Sequence, residues 1–406
     1  MSEPGMVIIG AGEAGVRAAF SLREQGYSGR VTLIGEEPHT PYERPPLSKA
    51  SAGDGAIRPI VQSEQFEAAD IQLERGIRAE AIERKNRVVL LSDGKRIGYD
   101  RLLLATGAMP RLPSDVPESP RVRALRTLDD VAHIRSHLAS NRHLAIIGGG
   151  FIGLELAAQY CAQATNVTLV EAQPRILMRG VPEALAKVLH ERHIAEGVDL
   201  ICGIAIERVE PNNDEVIIRL KNGFEIAADM LVIGIGAQPN TKLAEHAGLA
   251  VSNGIAVNDR LAASDPNIYA AGDCCSFPAP LYDGRRIRLE SWRNAQEQGA
   301  AAAANMMGAD APFTAVPWFW SDQYDLTLQV AGLAEGAEVT VTRSLSDDSQ
   351  IIFHLAGDGR LLAASGLGPG GAVARDIRLA EMLIARRATV EAEKLSDPAF
   401  KLKSLL

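Results

Sequence analysis

At 406 residues the chain is long enough for two or three domains, and 46% hydrophobic with 23% charged residues is the balance of an ordinary globular protein. With 42 basic against 51 acidic residues the net charge is −9, which argues against general nucleic-acid binding, where basic stripes are needed. The longest apolar runs are of strand length, too short to cross a bilayer, and Met1 to Gly5 leads into a predicted strand with no signal peptide before it.

Residues 5–36 read as strand, glycine turn, helix, strand. The run Val7-Ile8-Ile9 enters Gly10-Ala11-Gly12-Glu13-Ala14-Gly15, a predicted helix follows from Val16 to Gln25, and Val31 to Gly35 ends in the acid Glu36. The same sentence is written again about one domain later. Leu144 to Ile147 enters Gly148-Gly149-Gly150-Phe151-Ile152-Gly153, a helix is predicted from Leu154 to Gln163, and Val167 to Val170 ends in Glu171. Each copy is a dinucleotide fingerprint in its required setting. The first glycine makes the turn, the second lets backbone N–H groups reach a pyrophosphate, and the third lets helix and strand pack closely. The helix end then faces the anion with free N–H groups and a positive dipole end. The acid at the next strand end accepts from ribose hydroxyls, and Glu171 would repel a 2′-phosphate, so NADH is expected over NADPH; Arg175 is the one nearby cation opposing that choice. Two dinucleotides in one chain are the plan of a flavoprotein reductase.

Between the fingerprints, Pro38 to Lys49 is expected to be an irregular loop, stiffened by prolines and carrying Arg44 and Lys49. Strands are predicted at Val88–Leu91 and Leu102–Leu104, the latter ending in Ala105-Thr106-Gly107-Ala108, and Pro110 to Pro120 reads as a crossing between domains. The second unit closes on Met230 to Ala237, including Gly234 and Gly236, and echoes the earlier strand end, so the halves resemble a diverged internal repeat. Next come Ala271-Gly272-Asp273 and an alanine-rich stretch, Glu290 to Met307, suited to a close-packed helix. From about Phe313 the pattern turns to strands (Leu326–Val330, Glu338–Val341, Gln350–Leu355) and a last helix from Ala374 to Arg386, an α+β domain.

Cys161, Cys202, Cys274 and Cys275 form no Cys-x-x-Cys pair, and neighbouring cysteines make poor disulfides, so buried free thiols in a reducing compartment, the cytoplasm, are expected. No metal-ligand spacing is present. His190 and His193 are expected to be solvated positions on a helix.

Further motifs occur in order with the first fingerprint: Pro41 to Lys49 (Pro-Tyr-Glu-Arg-Pro-Pro-Leu-Ser-Lys), Phe151-Ile152-Gly153-Leu154-Glu155, Ala271-Gly272-Asp273, Trp318 to Gln323 (Trp-Phe-Trp-Ser-Asp-Gln), and the ending Asp397 to Leu406. Together they closely resemble, over essentially the whole chain, the oxygenase-coupled NADH-dependent ferredoxin reductases, a branch of the glutathione-reductase-like superfamily. The resemblance implies an α/β fold class: two Rossmann-like dinucleotide-binding domains, for FAD and NADH, plus the C-terminal α+β domain. The FAD domain would be discontinuous, residues 1–113 and 238–312, with the NADH domain inserted at 114–237 and the C-terminal domain at 313–406.

For FAD the resemblance implies Gly10, Gly12, Ala14, Gly15, Glu36, Arg44, Lys49, Ala105, Thr106, Gly107, Arg126, Gly272, Asp273 and Trp320 as contacts. For NADH it implies Gly148, Gly150, Phe151, Ile152, Gly153, Glu155, Glu171 and Gly236. Lys49, Glu155 and Trp320 would carry the catalytic roles. Lys49 would lie at the reactive edge of the flavin paired with Glu155, the two acting as electrostatic tuners, and Trp320 beside the ring. The implied activity is hydride transfer from NADH to FAD, then single-electron transfers to a [2Fe–2S] ferredoxin feeding a terminal oxygenase of P450 or Rieske type, with neither nucleic acid nor membrane as partner.

Rubredoxin reductase and NADH oxidase are alternatives on the same scaffold, with an apoptosis-inducing-factor-like binding module a more distant one. A dithiol reductase would need a cysteine pair near the flavin, which is not seen, and a peroxidase would need a flavin-side cysteine, which the segment between Glu36 and Arg58 lacks. Two features bear on the electron partner. Arg285, Arg286 and Arg288, with Arg293 close behind, are read as a basic rim for an acidic ferredoxin, and the run Gly366 to Gly371 is read as a glycine-rich loop shaping the docking surface.

Overall fold

In the computed structural model, which describes residues 4–49, 58–138, 142–346 and 348–406, the chain divides into two compact units. The first comprises Met1–Glu43, Ile57–Met109 and Gln238–Pro317; the second comprises Arg44–Ala56, Pro110–Ala237 and Trp318–Leu406.

In the first unit the fingerprint strand Gly5–Ile9 is central. Val31–Gly35 pairs with it in parallel on one side and Arg96–Leu104 on the other, and Ile71–Arg75 lies outside Val31–Gly35. Every residue of Gly5–Ile9 and Val31–Gly35 is buried, as expected of parallel strands covered on both faces. The long strand Arg96–Leu104 changes neighbour along its length: its first half pairs antiparallel with Val88–Leu91, and its end pairs in parallel with Ile268–Ala270. Helix Glu13–Glu24 packs against helix Trp292–Met306 so tightly that a Cβ on Gly299 would sit 2.4 Å from the Ala14 carbonyl oxygen. This contact explains the alanines of the second helix, since larger side chains would hold the two backbones apart.

The second unit repeats the plan. Its parallel sheet runs Asp199–Cys202, Asn166–Glu171, His143–Ile147, Met230–Ile233, Val122–Arg123, again with the fingerprint strand in the middle. The antiparallel sheet Ile206–Pro211, Val216–Leu220, Glu225–Ala228 follows. The rest is a five-stranded antiparallel sheet in the order Trp318–Gln323, Leu326–Gly332, Leu361–Pro369, Ser349–Leu355, Val339–Ser346, with helix Ala374–Ala385 packed on it. The fold is therefore α/β, two Rossmann-like sheets with a C-terminal α+β region.

Two expectations change. Gly366 and Gly368 belong to the strand Leu361–Pro369, so the glycine run is largely not a loop. A Cβ on Gly366 would stand 3.0 Å from Val373 Cβ, and one on Gly368 would stand 2.6 Å from Ser349 Oγ, so these glycines serve close packing against the helix region and the neighbouring strand. The proline-rich loop also contains one regular turn: Pro45–Ser48 forms a 3-10 helix, with prolines at the first positions where no backbone N–H is required.

Candidate active site

The two glycine turns are near copies. Gly10 has φ +108° and Gly148 φ +110°, in the left-handed half of the map that a side chain disfavours. A Cβ would lie 2.1 Å from the Ala105 carbonyl oxygen in the first and 2.4 Å from that of Gly234 in the second. The third glycines are equally closed: a Cβ on Gly15 would meet the Gly10 oxygen at 1.9 Å, and one on Gly153 the Gly148 oxygen at 2.1 Å. The middle glycines are the reverse, since a Cβ on Gly12 or Gly150 would have nothing within 4 Å. Both are N-caps of the following helix, with no side chain donating or accepting at the cap. Each turn therefore offers an open cradle at an uncapped helix N-terminus, at the point where strand order reverses, which fits a dinucleotide pyrophosphate.

In the first unit the expected FAD residues converge on this end of the sheet. Ala105, Thr106 and Gly107 follow the strand that Gly10 touches, and Thr106 and Asn240 exchange hydrogen bonds of 2.7 and 2.8 Å. Gly272 has φ +79°, donates its N–H to Gln298 Oε1 at 2.8 Å, and leaves only 3.1 Å between a would-be Cβ and that of Ala14. That fixes Asp273 beside the fingerprint helix. Gln298 Nε2 is buried without a protein partner there, a donor left for a ligand or water. Glu36 is exposed at its strand end, 3.9 Å from Arg78. Glu13, a variable position of the fingerprint, was not singled out from sequence; its carboxylate accepts from Trp292 Nε1 at 3.0 Å and Gln296 Nε2 at 2.8 Å. Burial pushes its pKa up against the Gln296 bond, with Glu43 adding to the rise.

In the second unit Glu171 sits at its strand end, its two oxygens accepting from the N–H groups of Gly149 and Gln173, both at 2.7 Å. Arg175 forms no ion pair with it. Its Nη1 donates to the carbonyls of Ile176 and Leu177 and its Nη2 to that of Val181, so the guanidinium is committed to the loop's own backbone. Phe151 packs edge-on to Phe319 with ring centroids 5.0 Å apart, Ile152 is 47% exposed at the helix start, and Gly236 has φ +114°.

Arg44, Lys49, Arg126 and Trp320, expected at FAD, also belong to the second unit. Arg44 Nη1 donates to the Arg126 carbonyl. The expected Lys49–Glu155 ion pair is replaced by another. Lys49 Nζ donates to Asp322 Oδ2 at 2.6 Å and stands 5.0 Å from the Trp320 ring centroid. Trp320 Nε1 donates to the same Asp322 oxygen at 2.9 Å, and the indole stacks on Trp318. Burial works to raise the Asp322 carboxyl, but Lys49, helped by Thr327 and Trp320, outweighs it and holds the group below its usual range. Glu155, on the second fingerprint helix, is 8% exposed and accepts from two hydroxyls: Ser321 Oγ at 2.6 Å on Oε1 and Ser48 Oγ on Oε2. Burial raises its pKa; the Lys49 charge and the two serines pull it partly back, and Asp322 adds to the rise. Lys49 thus acts on Glu155 through space and bonds to Asp322. Asp322 and Ser321 were within the Trp318–Gln323 motif and Ser48 within the proline motif, so the signal was in the sequence but the pairing was not.

One further reading is corrected. His193 is fully buried, because its ring meets Gln323, the last residue of the strand Trp318–Gln323, and Tyr324 in the turn after it. In the arginine cluster, Arg286 is exposed and donates to the carbonyls of Ser276 and Val257, while the partly buried Arg288 donates to that of Asp273 and to Glu290.

Comparison with known proteins accords with this geometry. The family described as pyridine nucleotide-disulphide oxidoreductase matches residues 4–299, and the one described as reductase C-terminal matches residues 318–406. The chain is 38% identical to putidaredoxin reductase from Pseudomonas putida, over 99% of this chain and 96% of that protein. It is also 38% identical to the ferredoxin–NAD(+) reductase component of the anthranilate 1,2-dioxygenase system from Burkholderia cepacia, over the full length of both. Among solved structures, the covalent putidaredoxin reductase–putidaredoxin complex is similar with a TM-score of 0.93 and 36% identity, covering 100% of this chain and 98% of that one.

Proposed function

Because the chain belongs to the pyridine nucleotide-disulphide oxidoreductase family and ends in its reductase C-terminal domain, we propose that it carries electrons from NADH through FAD to a [2Fe–2S] ferredoxin serving a P450 or Rieske-type oxygenase. The observation that carries this reading is the duplicated cradle, one open glycine in each unit with the same local geometry. Bound FAD would accept a hydride from NADH and release the electrons singly.

The chain's own residues bind, orient and tune. Gly12 and Gly150 leave the helix N-termini open to the pyrophosphates, while Asp273 and the Thr106–Gly107 turn, at the same sheet end as the first cradle, serve the remainder of FAD. Glu171 takes the ribose of NADH. Lys49, fixed by Asp322 and the Trp320 face, supplies a positive charge that favours a reduced, more negative ring system. Glu155 moderates that field. The four cysteines are free thiols and none pairs near the first fingerprint, so a dithiol relay has no residues to run on. The same free thiols support assignment to the cytoplasm, and among the described residues no helix is long and apolar enough to cross a membrane.

The deciding experiment compares NADH-driven reduction of ferredoxin, rubredoxin, oxygen and peroxide by one preparation. The expected result is a yellow protein with one flavin per chain and ferredoxin reduction fastest. Oxygen or peroxide outpacing ferredoxin would overturn the assignment, and a folded, colourless chain that takes up no FAD would overturn the class.

A further inference from the structure

Hydride transfer gives no work to His193, yet the fold buries it completely within a continuous hydrogen-bonded chain. Tyr324 Oη lies 3.0 Å from His193 Nδ1, and His193 Nε2 lies 2.9 Å from Gln323 Oε1. Gln323 Nε2 donates to Ser321 Oγ at 3.2 Å, and Ser321 donates to Glu155 Oε1 at 2.6 Å. All of these residues belong to the second unit.

Donor and acceptor chemistry gives the chain one direction. An ionised carboxylate only accepts, so Ser321 must donate to it and can only accept from Gln323. The amide then presents its carbonyl to His193, which must carry its proton on Nε2. Nδ1 is left as a lone pair and accepts from Tyr324. Every donor points toward Glu155, and aligned donors strengthen one another. The two sides of the carboxylate differ. If Oε1 took a proton, Ser321 would accept it and lose the acceptor for its own hydroxyl hydrogen, and a Gln323 flip that supplied a new one would set the amide NH2 against the Nε2–H of His193. On the other side, Ser48 keeps an acceptor in the Pro45 carbonyl at 3.4 Å, so a proton on Oε2 does not strand its hydroxyl.

We propose that His193 is a positioning residue which, through Gln323 and Ser321, reserves Oε1 of Glu155 as an acceptor and directs the carboxyl's proton exchange to Oε2, on the Ser48–Lys49 side. The charged neighbours are consistent with this. Burial keeps His193 below its usual range and so neutral, against the Gln323 bond and Glu196, with His190 adding to the lowering. Arg192 lies over the Tyr324 ring and is neutralised by Glu196 and Asp325, each at 2.9 Å. Lys49 and Asp322 are the charges facing Glu155 itself.

The proton placement is independent of the functional reading above. The test is an infrared pH titration of the carboxyl stretch in the FAD-loaded protein, assigned by its loss in Glu155→Gln. His193→Leu removes the Nε2 donor, and His193→Gln keeps an N–H donor near that position. The expected result is that His193→Leu moves the Glu155 titration upward by about one pH unit, a roughly tenfold change in proton affinity, and that His193→Gln restores it. Ser321→Ala, which cuts the chain beside Glu155, should reproduce the His193→Leu shift and serves if the latter fails to fold. An unmoved titration in the leucine or alanine variant would overturn the proposal, as would equal shifts in His193→Leu and His193→Gln. A protein that reduces no ferredoxin would sink the functional reading and leave the infrared result standing.

Discussion

Glu155 is a carboxylate that the fold buries, with two hydroxyls and a nearby ammonium to compensate it. Its folded-state pKa lies above the ordinary 4.5, so the native chain holds the proton more tightly than the unfolded chain does. That contribution to stability is fully present below the unfolded value and is lost as pH rises through the folded one. Glu155→Gln keeps the shape without the charge, so urea unfolding from pH 5 to 8 should show the wild type losing stability relative to the variant as pH rises. Glu155→Ala would instead strand the Ser321 hydroxyl, at about 1–3 kcal/mol for a buried group left unsatisfied, while Ser48 could turn to the Pro45 carbonyl. The Asp322–Lys49 pair makes a signed prediction under the proposed function. Asp322→Asn removes a negative charge from the ammonium's side and should raise the flavin midpoint potential, while Lys49→Ala should lower it. A shift of about 30 mV corresponds to about 1.4 kcal/mol in a two-electron couple. Spectroelectrochemistry checks both signs, and equal signs would detach this cluster from the flavin. At this scale the sequence was half legible. Lys49, Glu155 and Trp320 were all nameable, but an ion pair depends on which rotamers the packed chain allows. The Trp318–Gln323 strand brings Asp322 to Lys49 and sends Ser321 to Glu155, because neighbouring strand residues face opposite ways.

Among the elements, the strand–turn–helix unit gives the sharpest separation of folding from binding. Gly10→Ala places a methyl on a backbone at φ +108° and 2.1 Å from a carbonyl oxygen, so it should destabilise the first unit by more than the ~1–3 kcal/mol of ordinary overpacking. Gly12→Ala meets nothing in the protein and should fold while losing FAD. Gly150→Ala should fold, keep its flavin and raise the KM for NADH. Thermal unfolding, flavin absorbance and NADH kinetics measured on the three variants test this, and a Gly12→Ala protein with full flavin would remove the first cradle from FAD binding. The fingerprint elements were legible because their glycines obey local rules: the helices predicted from Val16 and Leu154 form, beginning three residues earlier at Glu13 and Phe151. The run at Gly366 misled for a physical reason. Glycine marks a turn and a close approach alike, and only the helix Ala374–Ala385 lying on the strand shows that approach is meant here.

For the molecule as a whole, fold class and cofactor plan followed from the repeat, because a repeated strand–glycine–helix sentence has few physical solutions. The partner surface was less legible. A cluster of arginines in sequence looks the same whether it points to water or to backbone carbonyls, and Arg286 and Arg288 bond Ser276, Val257 and Asp273 carbonyls. His193 was misread for a related reason: one helix has a wet and a dry face, and the dry one is set by a sheet more than a hundred residues downstream.

The equality of the two cradles has a metabolic consequence. FAD and NADH share an adenosine diphosphate, and the chain offers that common half the same grip twice, so the grip itself cannot tell a resident from a visitor. Residence must be set by what holds the unlike halves. The adenylates of the cell are then standing competitors for the visitor's berth. ADP-ribose should raise the apparent KM for NADH without changing kcat, at concentrations that release no flavin, and inhibition that lowers kcat alone would show that the second cradle is not where the shared half binds.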